Sequence, residues 1–294
     1  SLFKDTYEGV PPAGAGECSA PRMLQSCYKL GFKPITFTEF WWGAPPKKQL
    51  RLHNTHYAAC RGKCEPILNH MLEGVNVEES PLDATQKDKL IEKLYEDKDL
   101  LVVNKPHGLL SVPGKNIKQS VISVLKKEHS TTFELYPVHR LDRQTSGVLL
   151  LAKNKTALAA LQMQFEKRST KKEYVALLDG TLTQKEGTIV LPLATDYNDR
   201  PRQLVCFERG KYAETTFTLL GVEKNTSRVR FYPKTGRSHQ LRVHSAFHDG
   251  LNMAIVGDDL YGKHQDRMYL HAEKLVFMHP ETNKEVTVLS KTPF

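Results

Sequence analysis

HRLDRQTSGVLLLAK, residues 139–153, joins a polar loop to an apolar run. Thr145-Ser146-Gly147 is a compact turn, and the apolar residues after it have the pattern of a β-strand. Asp142 therefore belongs to a loop at a strand edge, where a rigid scaffold presents reactive groups. Arg140 and Arg143 flank it. Nearby positive charge favours the ionised carboxylate, which suits a nucleophile or a base better than a general acid. The same nine residues, 139–147, also fit an aspartate in an ordinary surface ion pair.

Upstream, KLYEDKDLLVVNK (93–105) has two short apolar runs around an Asp-Lys turn, a hairpin signature. Downstream, NKTALAALQMQFEKR (154–168) places Leu158, Leu161 and Phe165 at helical spacing, with Thr156 as the predicted cap. Strand-like runs follow at Tyr174–Leu178, Thr188–Leu191, Tyr212–Leu220, Arg228–Tyr232, Tyr269–Met278 and Val286–Leu289. One helix interrupts them near Ser238–Phe247, with Gly250 placed to end it. Many strands, short turns and few helices predict an α+β fold: a mixed, mainly antiparallel central sheet with flanking helices. No internal repeat or low-complexity segment is visible.

Residues 1–85 read differently. GVPPAGAGE and WWGAPPKK break regular structure, so this part is expected to be an irregular, partly helical extension ahead of a catalytic domain spanning 86–294. Trp41 and Trp42 are expected to be packing anchors. The extension carries nine Lys/Arg against nine Asp/Glu, whereas residues 86–294 carry 33 against 24. The whole excess of +9 therefore belongs to the second region. Such an excess suits a polyanionic partner such as RNA, although a solvated cationic face gives the same count. No run of 18 apolar residues suggests a membrane span, no secretory leader is recognisable, and the expected compartment is the cytoplasm.

Five cysteines, an odd number, argue for thiols rather than a disulfide framework. In HYAACRGKCE, His56, Cys60 and Cys64 recur every four residues and would share a face of a helix, with Cys18 as a distant fourth ligand for zinc. Gly62 weakens that helix. Buried or idle thiols are the expected reading, with no metal assigned.

With these stretches in view, the region from about residue 90 to the C-terminus resembles the RluA-type RNA pseudouridine synthases. NKPHGLLSVPG (104–114), HRLDRQTSGVLLLAK (139–153), KKEYVALLDG (171–180), TGRSHQLRVH (235–244), IVGDDLYG (255–262) and LHAEKLVFMHP (270–280) are similar to the family's motifs and follow its order. LLSVPG, LPLATDYNDRPRQLVC and TGRSHQLRVH are most like the subgroup acting on both a 23S rRNA hairpin and a tRNA anticodon loop. Residues 1–85 have no counterpart in that subgroup, and the S4 module found on other family members is not recognisable in them.

The resemblance implies the pseudouridine synthase fold with a basic active-site cleft, RNA as partner, no cofactor and a monomer. It also implies isomerisation of a flipped-out uridine. Asp142 takes the place of the catalytic aspartate, Tyr174 of an active-site tyrosine, and Arg237 of the arginine that pairs with the aspartate. Arg140 matches the residue that fills the gap left by the flipped base. His139, Arg143, Arg168, Lys172, Arg202, His239 and Gln240 are the further candidate RNA contacts, His139 being equally readable as a structural histidine. Breaking N1–C1′ and rebonding through C5 needs no redox partner. Attack at C6, attack at C1′ and a glycal route all remain open to a carboxylate.

Two rivals fit less well. A zinc-dependent base deaminase would carry an H-x-E plus P-C-x-x-C signature, and that combined signature is absent. A non-catalytic RNA-binding module would share the basic surface, but retention of Asp142, Tyr174 and Arg237 together favours an enzyme.

Overall fold

The computed structural model describes residues 2–3, 10–44, 53–54, 56–57, 63–75, 91–114, 119–128 and 134–294. The chain divides into two compact units, Ser1–Ala84 and Thr85–Phe294.

The larger unit contains a ten-stranded sheet in which β3 (Glu92–Glu96), β4 (Leu100–Lys105), β6 (Ser146–Ala152), β13 (Leu270–Met278), β7 (Lys171–Asp179), β12 (Thr226–Pro233), β11 (Glu214–Glu223) and β8 (Glu186–Val190) lie side by side. β5 (Tyr136–Pro137) adds to β6 and β14 (Glu285–Leu289) to β13, while β9 (Leu193–Thr195) and β10 (Gln203–Val205) form a separate antiparallel pair. Among the paired strands of this sheet, only β6 and β13 run parallel. The sheet is thus mixed and largely antiparallel, and the 93–105 hairpin is β3–β4.

The apolar run after Asp142 forms β6, and every residue in it is buried because both faces of the strand are covered. Val148 and Leu150 pack on one side with Leu100 and Val102 of β4, against Ala157 and Leu161 of α4 (Lys155–Glu166). Leu149 and Leu151 pack on the other with Leu101 and Val103, against Val121, Ile122 and Leu125 of α3 (Val121–Glu128). Alternation with period two therefore persists, but as two cores instead of a polar face. A further core joins Ala176, Leu178, Phe217, Val229 and Phe231 beneath α5 (Gln240–Ala246).

Gly147 has a physical reason to be glycine. Its φ is +113°, and a Cβ there would lie 2.2 Å from the Ala272 carbonyl oxygen of β13. The single parallel pairing, Ser146 with His271 and Gly147 with Ala272, needs that close approach.

Several local expectations are corrected. The cap of α4 is Asn154, whose side chain accepts the Ala157 N–H, not Thr156. The helix at 240 ends at Ala246, where Phe247 turns extended, three residues before Gly250.

In the smaller unit, α1 (Ser19–Lys29), a two-stranded pair of β1 (Glu39–Phe40) and β2 (His56–Tyr57), and α2 (Glu65–Met71) are the regular elements among the described residues. His56 and Cys64 do not share a helix: His56 is in β2, and α2 starts only after Cys64, with Pro66 in its first turn. Proline suits a helix start and cannot continue one from further upstream. Cys60 lies outside the described residues. Trp42 is 73% exposed, its ring against His53, so it is not a packing anchor.

Candidate active site

A cleft of about 920 Å3 opens between the 110–114 loop, the 139–145 loop, β7 and the segment 233–242. Asp142, Tyr174 and Arg237 all line it, as do Arg140, Arg143, Arg168, Lys172, His239 and Gln240.

The loop carrying Asp142 is held from two sides. Ser111 Oγ accepts the Leu141 N–H and donates back to the Leu141 carbonyl, each at 3.0 Å. The Gly108 N–H donates to the Arg143 carbonyl at 2.8 Å, and Arg143 Nε donates to the Gly108 carbonyl at 3.0 Å. Under this junction lies Lys105, fully buried, whose ammonium donates to the carbonyls of Leu109 (2.7 Å), Pro106 (3.0 Å) and Arg143 (3.0 Å). The two loops that the sequence keeps about 35 residues apart are thereby one rigid piece, and a charge-assisted bond ends on the residue after the aspartate. Lys105→Met, of similar length but without donors, should cost ~2–4 kcal/mol by leaving buried carbonyls unpaired. A melting experiment should show Tm lower by roughly 5–15 °C. An unchanged Tm would mean the clamp contributes nothing.

The cation at Asp142 is Arg242, not Arg237. Arg242 Nη1 lies 3.7 Å from Asp142 Oδ2. Its other edge grips Asp258 bidentately, Nε to Oδ2 at 2.7 Å and Nη2 to Oδ1 at 2.6 Å, and Nη2 reaches Asp259 at 3.3 Å. Arg242 and Asp258 are buried, while the Asp142 side chain keeps 30% of its exposure, open to the cleft. Burial opposes the charge on Arg242, yet the hydrogen bond and charge of Asp258, with Asp142 behind them, raise its pKa. Arg237 instead donates from Nε to the Tyr212 carbonyl at 3.0 Å. Sequence reading missed Arg242 although it lies in TGRSHQLRVH. The signal was Asp258 in IVGDDLYG, a carboxylate that needs a cation once it is buried.

Tyr174 stands on β7 opposite Phe231 of β12 and Ala272 of β13. Burial, with a smaller contribution from the charge of Asp142, pushes its hydroxyl well above the usual range, so it stays protonated at neutral pH.

The candidate RNA contacts separate into two groups. His139 stacks on Phe165 at 4.9 Å, and its Nε2 accepts the Leu150 N–H at 3.2 Å. Burial, helped by Lys172, lowers it to about 3, so it is a neutral structural histidine. Gln240 is likewise structural. Buried, it accepts from Thr235 Oγ1 and the Arg237 N–H and donates to the Glu214 carbonyl and Thr215 Oγ1. Arg202 pairs with Asp199 and does not line the cleft. Arg140 is exposed at the cleft, and Arg143, Arg168 and Lys172 line it, the last lowered to about 8 by burial and the charge of Arg168. His239, in the left-handed region at φ 53°, turns its Nδ1 to the Tyr261 hydroxyl at 2.9 Å.

One group of three or more described His, Cys, Asp or Glu side chains is close enough to share an ion: Asp97, Asp99 and His279, away from the cleft. Asp97 already accepts from Tyr95, His279 and the N–H groups of Asp99 and Leu100, which accounts for the cluster as a turn fastening. No helix among the described residues is long and apolar enough to cross a membrane.

The family model for RNA pseudouridylate synthase matches residues 99–247. The dual-specificity RNA pseudouridine synthase RluA of Vibrio cholerae is 43% identical over 202 residues, covering 67% of this chain and 81% of that protein. Its counterpart in Escherichia coli K12 is 41% identical over 209 residues, covering 68% and 93%. Among solved structures, human RNA pseudouridylate synthase domain containing 1 aligns with a TM-score of 0.60 at 27% identity, over 74% of this chain and 87% of that one. The fold, the order of the motifs and these matches agree, and the chain belongs to the RNA pseudouridylate synthase family as an RNA pseudouridine synthase.

Proposed function

We propose that this enzyme isomerises uridine in structured RNA stem-loops, with Asp142 as nucleophile, and that its targets are of the two kinds its dual-specificity relatives are named for: an rRNA hairpin, a tRNA anticodon loop, or both. The observation that carries the reading is the meeting of Asp142, Arg242 and Tyr174 in one cleft. Arg242, aimed by two aspartates, stabilises negative charge on Asp142 and fixes its direction. The Tyr174 ring offers a face for the uracil, and its protonated hydroxyl is a donor beside the reacting carbons.

A stacked uridine must leave the helix before its glycosidic bond can be reached, generally at a cost of a few kcal/mol. Arg140, exposed and lining the cleft, would stack on the bases that remain. Arg143, Arg168 and Lys172 are the cations available to phosphates. The net change exchanges the N1–C1′ bond for C5–C1′, so the C5 hydrogen is lost to solvent. Stem-loops carrying tritium at uracil C5 should therefore release it with time, and the position of the product can be read by chemical mapping of pseudouridine. Absence of release from both the rRNA and the tRNA stem-loop would overturn the substrate assignment.

Tyr174→Phe keeps the ring and removes the hydroxyl. If that hydroxyl handles a proton, the single-turnover rate should fall by about 10²-fold or more while RNA affinity changes little. A near-normal rate would assign the role to the ring alone.

A further inference from the structure

The smaller unit holds a pair of thiols that the isomerase reaction does not use. Cys18 immediately precedes α1 and Cys64 immediately precedes α2, 46 residues apart in sequence. Their sulfurs are 3.2 Å apart. Cys64 is fully buried, and the Gly16 N–H donates to its Sγ at 3.4 Å. This contact lies in the middle of a small core: Ala20 and Leu24 from α1 and Leu68 from α2 are the other buried members, with Phe37, Met71 and Leu72 against them.

Two neutral thiols make a weak contact, since S–H is a poor donor and sulfur a poor acceptor. A backbone N–H points at the Cys64 sulfur, and α1 starts directly after Cys18. A cation shared by the two sulfurs would hold both as thiolates and give them a bonding partner that neutral thiols lack. On a tetrahedral zinc with ~2.3 Å bonds the sulfurs would be ~3.8 Å apart, whereas a disulfide brings them to ~2.05 Å. The observed 3.2 Å is nearer the first.

We propose that Cys18 and Cys64 are two thiolate ligands of one divalent cation of the zinc class, tying the start of α1 to the start of α2. Binding releases two thiol protons to solvent as two metal–sulfur bonds form, with no change of oxidation state. The other two positions of the tetrahedral shell remain for further donors. The site is a fastening of the smaller unit.

The test uses the full chain, purified under reducing conditions without chelator or metal-affinity resin, with zinc measured by plasma mass spectrometry. One equivalent is expected in the natural chain. Cys18→Ser and Cys64→Ser should each reduce it to background, while Cys27→Ser and Cys206→Ser should retain it. Because Cys64→Ser removes a core residue and can unfold the unit, the natural chain is also reconstituted with Co2+. Thiolate-to-cobalt charge-transfer absorption in the near ultraviolet should appear, and should be lost in Cys18→Ser. A natural chain without zinc that gives no such absorption, zinc that persists in both variants, or a Cys18–Cys64 disulfide in protein prepared anaerobically would each overturn the proposal.

Discussion

Asp142→Asn should abolish tritium release from a uridine-labelled stem-loop while leaving RNA affinity within about tenfold of the natural enzyme, because phosphate contacts dominate binding. The substitution keeps the shape of a side chain that is open to the cleft and removes only its charge. The loop should not move, since the hydrogen bonds described around it run through the Leu141 backbone, the Arg143 carbonyl and Nε, Ser111, Gly108 and the buried Lys105, and none through the Asp142 side chain. Thermal stability is thus expected to be nearly unchanged, which separates a chemical defect from a folding one. Because a trace of natural enzyme would mimic residual activity, the measurement needs protein prepared free of it and read at single turnover. Clear release by such a preparation would remove Asp142 from the role of nucleophile.

Much of the fold is legible because its elements are local in sequence. The hairpin at 93–105, the helix after residue 154 and the later strands are marked by apolar periodicity and turn residues, and each appears within a few residues of its expected span. What is not legible depends on partners brought in from afar. Thr156 and Asn154 both suit an N-cap, and only the position of the first helical N–H groups selects Asn154. His139 and Gln240 are polar residues in a cleft-forming motif, and nothing local distinguishes a contact to RNA from one to Leu150 N–H or the Glu214 carbonyl. The thiols offer the opposite case: regular spacing at 56, 60 and 64 fits one helix, but α2 starts only at Glu65, and among the described residues Cys64 meets Cys18.

Arg237 and Arg242 pose the same difficulty in sharper form, and the choice between them leads to the second large expected effect. They are five residues apart, on either side of His239, whose left-handed backbone turns the chain into α5. Before the turn, Arg237 points to the Tyr212 carbonyl; after it, Arg242 enters the buried space between Asp142 and Asp258. Arg242→Met should therefore lose turnover as completely as Asp142→Asn. It should also destabilise the protein by about 3–5 kcal/mol, because Asp258 is left buried without its counter-charge. Arg237→Met should leave Tm nearly unchanged and cost far less activity. Stability and catalysis can then be separated by adding Asp258→Asn to Arg242→Met. The amide carries no charge and still offers an oxygen to the N–H groups of Leu260 and Tyr261, which Asp258 Oδ1 now serves. The double variant should regain most of the lost Tm and none of the lost turnover, since Arg242 no longer faces Asp142. Recovery of both would show that Arg242 serves only to keep Asp258 buried. An inactive Arg237→Met beside an active Arg242→Met would return the pairing role to Arg237.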